Sequence, residues 1–369
     1  MEQRIFAFFL LVLSLSIPIR GQQKADTSLP VRGLCIAAPV PAGVDSFLYF
    51  IEHELVPRKI NLLVLRIGYR YQFKSHPELI DDNALSERDV KRIVKICRKG
   101  GIRVIPLINM MGHQSWFSNV GKLLEVYPQF NETPWVPLDE GINKWPNKWD
   151  LYCLSYCPLA PGLHDVIFDV IDEIVEVFEA DAFHAGMDEV FYIGMDKRCK
   201  GRDPSELFAG EVRAIHDHLA CRGKELWIWG DRLLDGKTTG MGEWDASYNN
   251  TWRAIDMIPK DVVINDWHYT RPYPTAAYFA MKGFRVLTCT YRLPDVSLEQ
   301  QHLMQHFRKY ATPEMKPRYM GIMETVWTSA EDAIAQFYGR KDSRHPRGGD
   351  WVKTFKALFG ETAGPVPAP

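Results

Sequence analysis

Asp188 and Glu189 stand side by side in the run HAGMDEV, His184 to Val190, at the end of a short apolar stretch. Two carboxyls held close in one pocket cannot both ionise easily, so one keeps its proton near neutrality while the other stays an anion. That pairing is a general acid beside an electrostatic helper. An ideal strand sends adjacent side chains to opposite faces, so these two share a pocket only if the backbone leaves the strand there, and Gly186 permits the departure. The plain alternative is a solvated Asp-Glu pair opening a loop.

Other apolar runs end in a similar way. They are followed by Arg66 and Tyr69, by Asn109 and His113, by Trp229 and Asp231, by Asp266, Trp267 and His268, by Tyr291, and by Glu324 and Trp327. Carboxylates beside indoles suit a sugar, because an acid protonates the leaving oxygen and a flat ring covers the apolar face of a pyranose. Each residue also has a structural reading. His113 and His184 suit satisfied structural histidines, and Asp231, Asp266 and Glu324 suit loop or supporting carboxylates. Trp227 and Trp229 are read as facing opposite sides of one strand, with only one reaching the pocket.

The elements that must position these residues alternate regularly. Strand candidates are Gly33 to Ala38, Asn61 to Gly68, Ile102 to Asn109, Ala182 to Gly186, Glu225 to Gly230, Val262 to Asp266, Phe284 to Thr290 and Tyr319 to Thr325. Between them lie helical patterns over Asp45 to Val56, Ser86 to Lys99 with Ser86 as cap, Leu163 to Glu179, Pro204 to Arg222 and Leu298 to Tyr310. Eight such units predict an α/β fold of the (β/α)8 TIM-barrel type, whose reactive residues stand at the C-terminal strand ends. No GxGxxG or P-loop string follows a strand to favour a doubly wound sheet. After the third strand, Met110 to Pro161 breaks the rhythm with a long insertion holding Trp116, Trp135, Trp145 and Trp149, read as a lid core, a sugar platform or a protein contact.

Composition narrows the class. Of 369 residues, 46% are hydrophobic and 24% charged, and 44 Lys+Arg against 46 Asp+Glu leave a formal net charge of -2, which disfavours a nucleic-acid partner. Glu2 and Arg4 precede an apolar run, Ile5 to Ile19, that is too short to span a bilayer and reads as a signal peptide over residues 1–21. The expected division is then a barrel over 22–340 and a partly disordered extension over 341–369, in a protein exported to a periplasm or the medium. Seven cysteines form no framework. Cys35 and Cys289 read as small core residues, and the close pair Cys153 and Cys157 as a loop disulfide or two thiols rather than metal ligands.

The string at 184–189 resembles the H-x-G-x-D-E signature of glycoside hydrolase family 20, the β-N-acetylhexosaminidases, through His184, Gly186, Asp188 and Glu189. The runs RGLCIAAP, KINLLVLRIGYRYQFKSHPEL, IPLINMMGHQSW, WIWGDRLL and GIMETVWTS resemble further family segments in the same order. The resemblance implies a retaining, substrate-assisted hydrolysis of glycans, in which the sugar's 2-acetamido oxygen attacks the anomeric carbon. It implies Glu189 as acid and later base, and Asp188 as the residue that orients the acetamido N–H. It places His113 behind the acid, Trp229, Trp267 and Trp327 as pocket walls, and Tyr291 as donor to the acetamido oxygen. No metal or organic cofactor is implied. Departures stand beside the matches: the segment AAPVPAG lacks the family's Arg, Leu107 and Asn109 replace usual acids, and Ser329 replaces a common Glu. Arg66 or Arg70 is a candidate substitute for the missing Arg. A non-catalytic sugar-binding barrel and a two-carboxylate glycosidase using Asp231, Asp266 or Glu324 remain the rival readings, and the oligomeric state is left open.

Overall fold

Short apolar runs become strands and the chain closes them into one parallel barrel. The computed structural model describes residues 29–116, 119–135 and 153–360. Its strands are β1 (Val31–Ala37), β2 (Leu62–Arg66), β3 (Arg103–Met110), β4 (Ala182–Gly186), β5 (Glu225–Trp229), β6 (Val263–Trp267), β7 (Arg285–Thr290) and β8 (Tyr319–Thr325). Each pairs in parallel with the next, and β8 returns to β1, with Val31 opposite Gly321 and Cys35 opposite Thr325. Strands covered on both faces need apolar residues on both, which is why they read as near-continuous hydrophobic runs. This is the (β/α)8 barrel expected from the alternation.

The barrel interior is filled by side chains that include Cys35, Val64, Ile105, Leu107 and Met323. Trp227 and Trp229 both lie in it, which corrects the expectation that they face opposite sides. Side chains alternate with a period of two, so residues two apart share a face. They differ in height instead. Trp227 packs under the Arg103 guanidinium, 5.3 Å from its ring centre, and donates its N–H to Glu225 Oε2 at 3.2 Å. Trp229 lies one layer higher, 4.6 Å from the His184 ring and 6.0 Å from Trp327.

The outer layer comprises α1 (Val44–Phe50), α2 (Glu87–Lys99), α3 (Leu163–Val177), α4 (Pro204–Ala220), α5 (Thr275–Met281), α6 (Pro294–Tyr310), α7 (Ala330–Phe337) and α8 (Trp351–Phe359). The helix expected over Asp45 to Val56 is α up to Phe50 and then a π turn over Ile51–Leu55. Helices α5 and α7 are too short for their periodicity to stand out in the sequence. Between β5 and β6 the connection is made by 3-10 turns and one four-residue helix. Helix α8 belongs to the same outer layer: Trp351 and Phe355 are buried, Arg32 lies over the Phe359 ring, and Arg58 Nε donates to Gly360 O at 3.0 Å. The expected leader over 1–21 and the tail beyond 360 fall outside the described residues. Among the described residues, no helix is long and apolar enough to cross a membrane.

Ser86 caps α2 as its position before an amphipathic run predicts. Its Oγ accepts the Asp89 N–H at 3.3 Å, and Asp89 Oδ2 accepts the Ser86 N–H at 3.2 Å. This capping box satisfies donors that the helix leaves without partners. Ser86→Ala is expected to destabilise the protein by about 1 kcal/mol, read as a lower denaturant midpoint at unchanged slope.

Candidate active site

Strand β4 ends in a backbone reversal. Gly186, Met187 and Glu189 all have positive φ, at 66°, 65° and 49°. A side chain at Gly186 would meet Asn109 Oδ1 at 2.3 Å, so only glycine allows the strand to turn there. The left-handed residues break the strand's alternation and bring the neighbours Asp188 and Glu189 to the same side. Opposite them, the loop after β3 is built the same way, with Met111 at φ 57° and His113 at φ 53°. Gly112 lets the two segments touch, since a side chain there would lie 2.3 Å from the Asp188 carbonyl oxygen.

His113 sits between the two acids. Its Nε2 lies 3.2 Å from Asp188 Oδ2 and 2.9 Å from Glu189 Oε2. Its Nδ1 lies 3.3 Å from Cys153 Sγ, which is also 3.8 Å from Glu189 Oε2. Behind the acid, Asp231 Oδ2 accepts the Glu189 backbone N–H at 2.9 Å and Arg232 Nε–H at 2.6 Å, while Oδ1 accepts the Trp267 indole N–H at 3.3 Å. These bonds pin a strained residue: each non-glycine left-handed position is disfavoured by about 1 kcal/mol, so neighbours must hold it.

The electrostatics separate the carboxyls. Burial raises the Glu189 carboxyl, and Asp188 and Asp231 add to the rise against the opposing His113, leaving it at about 7. Burial also works against the Asp188 anion, but the His113 charge beside it outweighs that and holds it below the ordinary carboxylate range. His113 itself is raised well above the usual imidazole value, because Asp188 more than offsets its burial. Near neutrality the cluster therefore holds an imidazolium, an anion and a carboxyl poised to give up a proton. Among the described residues, Asp188 Oδ1 is buried and has no hydrogen-bond partner.

Around this centre, Trp267 packs on Tyr269 at 5.0 Å between ring centres. Trp327 is 38% exposed, so a wide indole face remains open at the rim. Its N–H donates to the Tyr269 hydroxyl at 3.1 Å, and the Arg66 guanidinium lies 4.8 Å from its ring centre. Arg66 Nη2 also donates to Val326 O at 2.7 Å and Thr328 O at 3.2 Å. The candidate replacement for the missing Arg is thus committed to holding the segment that carries Trp327. Tyr291 stands at the end of β7, 5.3 Å from the Tyr269 ring and almost fully buried.

A match to the family model for the catalytic domain of glycosyl hydrolase family 20 covers residues 58–339. The chain belongs to glycosyl hydrolase family 20. Among curated relatives of this family-20 chain, a lacto-N-biosidase from Bifidobacterium bifidum is 26% identical over 239 residues, covering 61% of this chain and 18% of that protein. A β-hexosaminidase from Emericella nidulans is 27% identical over 210 residues, covering 53% of this chain and 31% of that one. The chain thus spans less than a third of the length of either relative. A solved β-N-acetylhexosaminidase from Bacteroides fragilis shares the fold with a TM-score of 0.59 at 16% identity, over 92% of this chain and 68% of that one.

Within the family-20 domain, the structure brings His113, Asp188, Glu189, Asp231 and Trp267 into one bonded cluster, with Trp229 and Trp327 alongside. Glu324 is placed differently: it is fully buried, with Oε2 bonded to Thr290 Oγ1 at 2.5 Å and Oε1 to the Arg292 N–H at 3.3 Å. Burial raises its carboxyl to about 8. His184 is a core residue whose Nδ1 accepts the Gly186 N–H at 3.0 Å, and burial lowers it to about 3, so it stays neutral. Cys153, Arg232 and Tyr269 are contributions that sequence reasoning did not single out for the site. Only the insertion's position beside the β3 end hinted at Cys153, since nothing in cysteine spacing pairs it with His113. Of the insertion tryptophans, Trp116 and Trp135 are exposed, whereas Trp145 and Trp149 lie outside the described residues. Among the described residues, two sets offer ligand atoms close enough for a metal: His113, Cys153 and Glu189, and separately Glu132, Cys157 and Cys199.

Replacing His113 with Gln removes a positive charge that lowers both acids. Activity that needs Asp188 ionised and Glu189 protonated follows a bell, falling on the alkaline side near pH 7. In His113→Gln both carboxyls rise, so both limbs of the kcat/KM profile move to higher pH. Limbs that stay in place would show that the imidazolium does not set these charges.

Proposed function

We propose that this protein is an exported, retaining β-N-acetylhexosaminidase-like hydrolase in which the 2-acetamido group of a glycan attacks the anomeric carbon. The observation that carries the reading is the pairing of a carboxyl at about 7 with an adjacent buried anion whose Oδ1 lacks a donor. Glu189 gives its proton to the leaving oxygen and afterwards takes one from water. Asp188 Oδ1 accepts the acetamido N–H, which orients the acetamido oxygen toward the anomeric carbon and stabilises positive charge as the ring closes. Trp229, Trp267 and Trp327 wall the sugar, and Tyr291 donates to the acetamido oxygen. Export rests on the leader-like first residues, with processing near Gly21.

The fate of the other carboxylates favours this route over a protein nucleophile. Asp231 has both oxygens engaged, Glu324 has both engaged, and Asp266 is bonded through Oδ2 to Thr275 Oγ1 at 2.7 Å and lies through Oδ1 3.2 Å from His268 Nε2. Oxygens bonded in this way are less available to attack an anomeric carbon, and burial raises the Asp231 and Glu324 carboxyls as well, which weakens them as nucleophiles.

The test is release of aglycone from aryl β-glycosides with and without a 2-acetamido group, by wild type and Glu189→Gln. Turnover is expected only with the 2-acetamido sugars, reduced about 10²–10⁴-fold in the variant. Equal turnover of plain glycosides would overturn substrate assistance. Binding of these sugars without turnover by wild type would favour a carbohydrate-binding barrel.

A further inference from the structure

Two of the seven cysteines meet in a fully buried contact away from the catalytic proton path. Cys157 Sγ lies 3.1 Å from Cys199 Sγ, and neither residue has exposed surface. Cys157 ends the strap 153–157, which carries Cys153 to His113. Cys199 lies in the loop that follows Glu189. Both segments are fastened to residues 129–132, and the strap also to the loop after β3. Tyr156 N donates to Met111 O at 3.0 Å, Gln114 N to Leu154 O at 3.0 Å, and Cys157 N to Phe130 O at 2.7 Å. Glu132 Oε1 accepts the N–H groups of Met195 at 2.6 Å and Asp196 at 3.2 Å, and Arg198 donates to Gln129 O at 2.9 Å and Asn131 O at 3.3 Å.

We infer that Cys157 and Cys199 are joined by a disulfide that staples the Cys153 strap to the loop following Glu189. The sulfurs are closer than non-bonded sulfurs rest, and a side-chain adjustment on the order of 1 Å reaches bonding distance. A shared metal fits less well. Two thiolates on one tetrahedral zinc stand about 3.7 Å apart, and the carboxylate that would complete the set has Oε1 occupied by two backbone donors. Cys153 is not the partner, because its sulfur is engaged by His113 and Glu189.

The chemistry is thiol–disulfide exchange during folding, before both sulfurs are enclosed. One cysteine thiolate attacks a sulfur of a small-molecule or protein disulfide, forming a mixed disulfide and releasing one thiol. The second cysteine displaces the donor's remaining half. The donor gains two electrons and the two protons that the cysteines lose. An oxidising destination for such a protein rests on the export reading, but the bond can be tested without it and without any assay of hydrolysis.

The full chain is refolded in a buffer of oxidised and reduced glutathione, denatured, and alkylated before and after reduction. All but two cysteines are expected to react before reduction, all seven afterwards, and the unreduced digest contains a peptide linking Cys157 to Cys199. Seven reactive thiols before reduction, a linked pair other than this one, or one zinc per chain retained at these sulfurs would each overturn the inference. Reduction by a phosphine is expected to lower Tm by about 5–10 °C, since the closed loop is long. Cys157→Ser, Cys199→Ser and the double variant should show the same drop as each other and none on added phosphine. Additive drops in the two single variants would point to separate packing roles and sink the staple.

Discussion

The site depends on burying Asp188, Glu189 and Asp231 together, with too few cations among the described residues beside them to neutralise them all. A buried carboxylate without a partner does not stay ionised. His113 and Arg232 supply the positive charges, and they are placed unequally: His113 faces Asp188 and Glu189, while Arg232 Nε binds Asp231. His113 then holds Asp188 below the ordinary carboxylate range, burial raises Asp231 against the pull of Arg232, and Glu189, which burial raises and which shares His113 with Asp188, stands at about 7. The division of labour between adjacent acids is therefore an outcome of burial together with where two cations stand.

Holding that arrangement requires backbone the chain does not adopt willingly. Met111 and His113 on one side, and Met187 and Glu189 on the other, are left-handed non-glycine residues. Such residues persist where the surroundings over-determine them. Here the surroundings are the closed barrel below and side chains that serve backbone groups: Asp231 on the Glu189 N–H, and Gln114 Nε2 on the carbonyls of Asn109 at 2.9 Å and Gly112 at 3.0 Å. The barrel supplies rigid strand ends, and the loops are fastened to them by polar groups that have no exposed alternative.

The rim follows a different rule. Arg66 is used to anchor the turn at Val326 and Thr328 and to support Trp327, so its charge is turned to backbone carbonyls. The segment AAPVPAG at the end of β1 offers no arginine of its own.

Sequence by itself determined the barrel and the address of its chemistry. The alternation of apolar runs with amphipathic stretches located all eight strands to within a residue or two, since a strand buried on both faces has little freedom in composition. The HAGMDEV string marked Asp188 and Glu189 as a candidate pair through its resemblance to the family signature, since the dipeptide alone reads equally as a solvated pair opening a loop. Tertiary structure decided what the pair does. Which acid keeps its proton depends on His113, just after β3, and Asp231, just after β5, 76 and 42 residues from Glu189 in a chain whose spacing does not encode distance in space. Cys153, Tyr269 and Arg66 acquired their partners in the same way. Even the two tryptophans of β5 show the limit: the sequence reads them as facing opposite sides, and the folded barrel holds both inside, one beneath the other. Local pattern reports burial and backbone state, whereas charge, proton affinity and contact arise from groups that folding alone brings within a few ångströms.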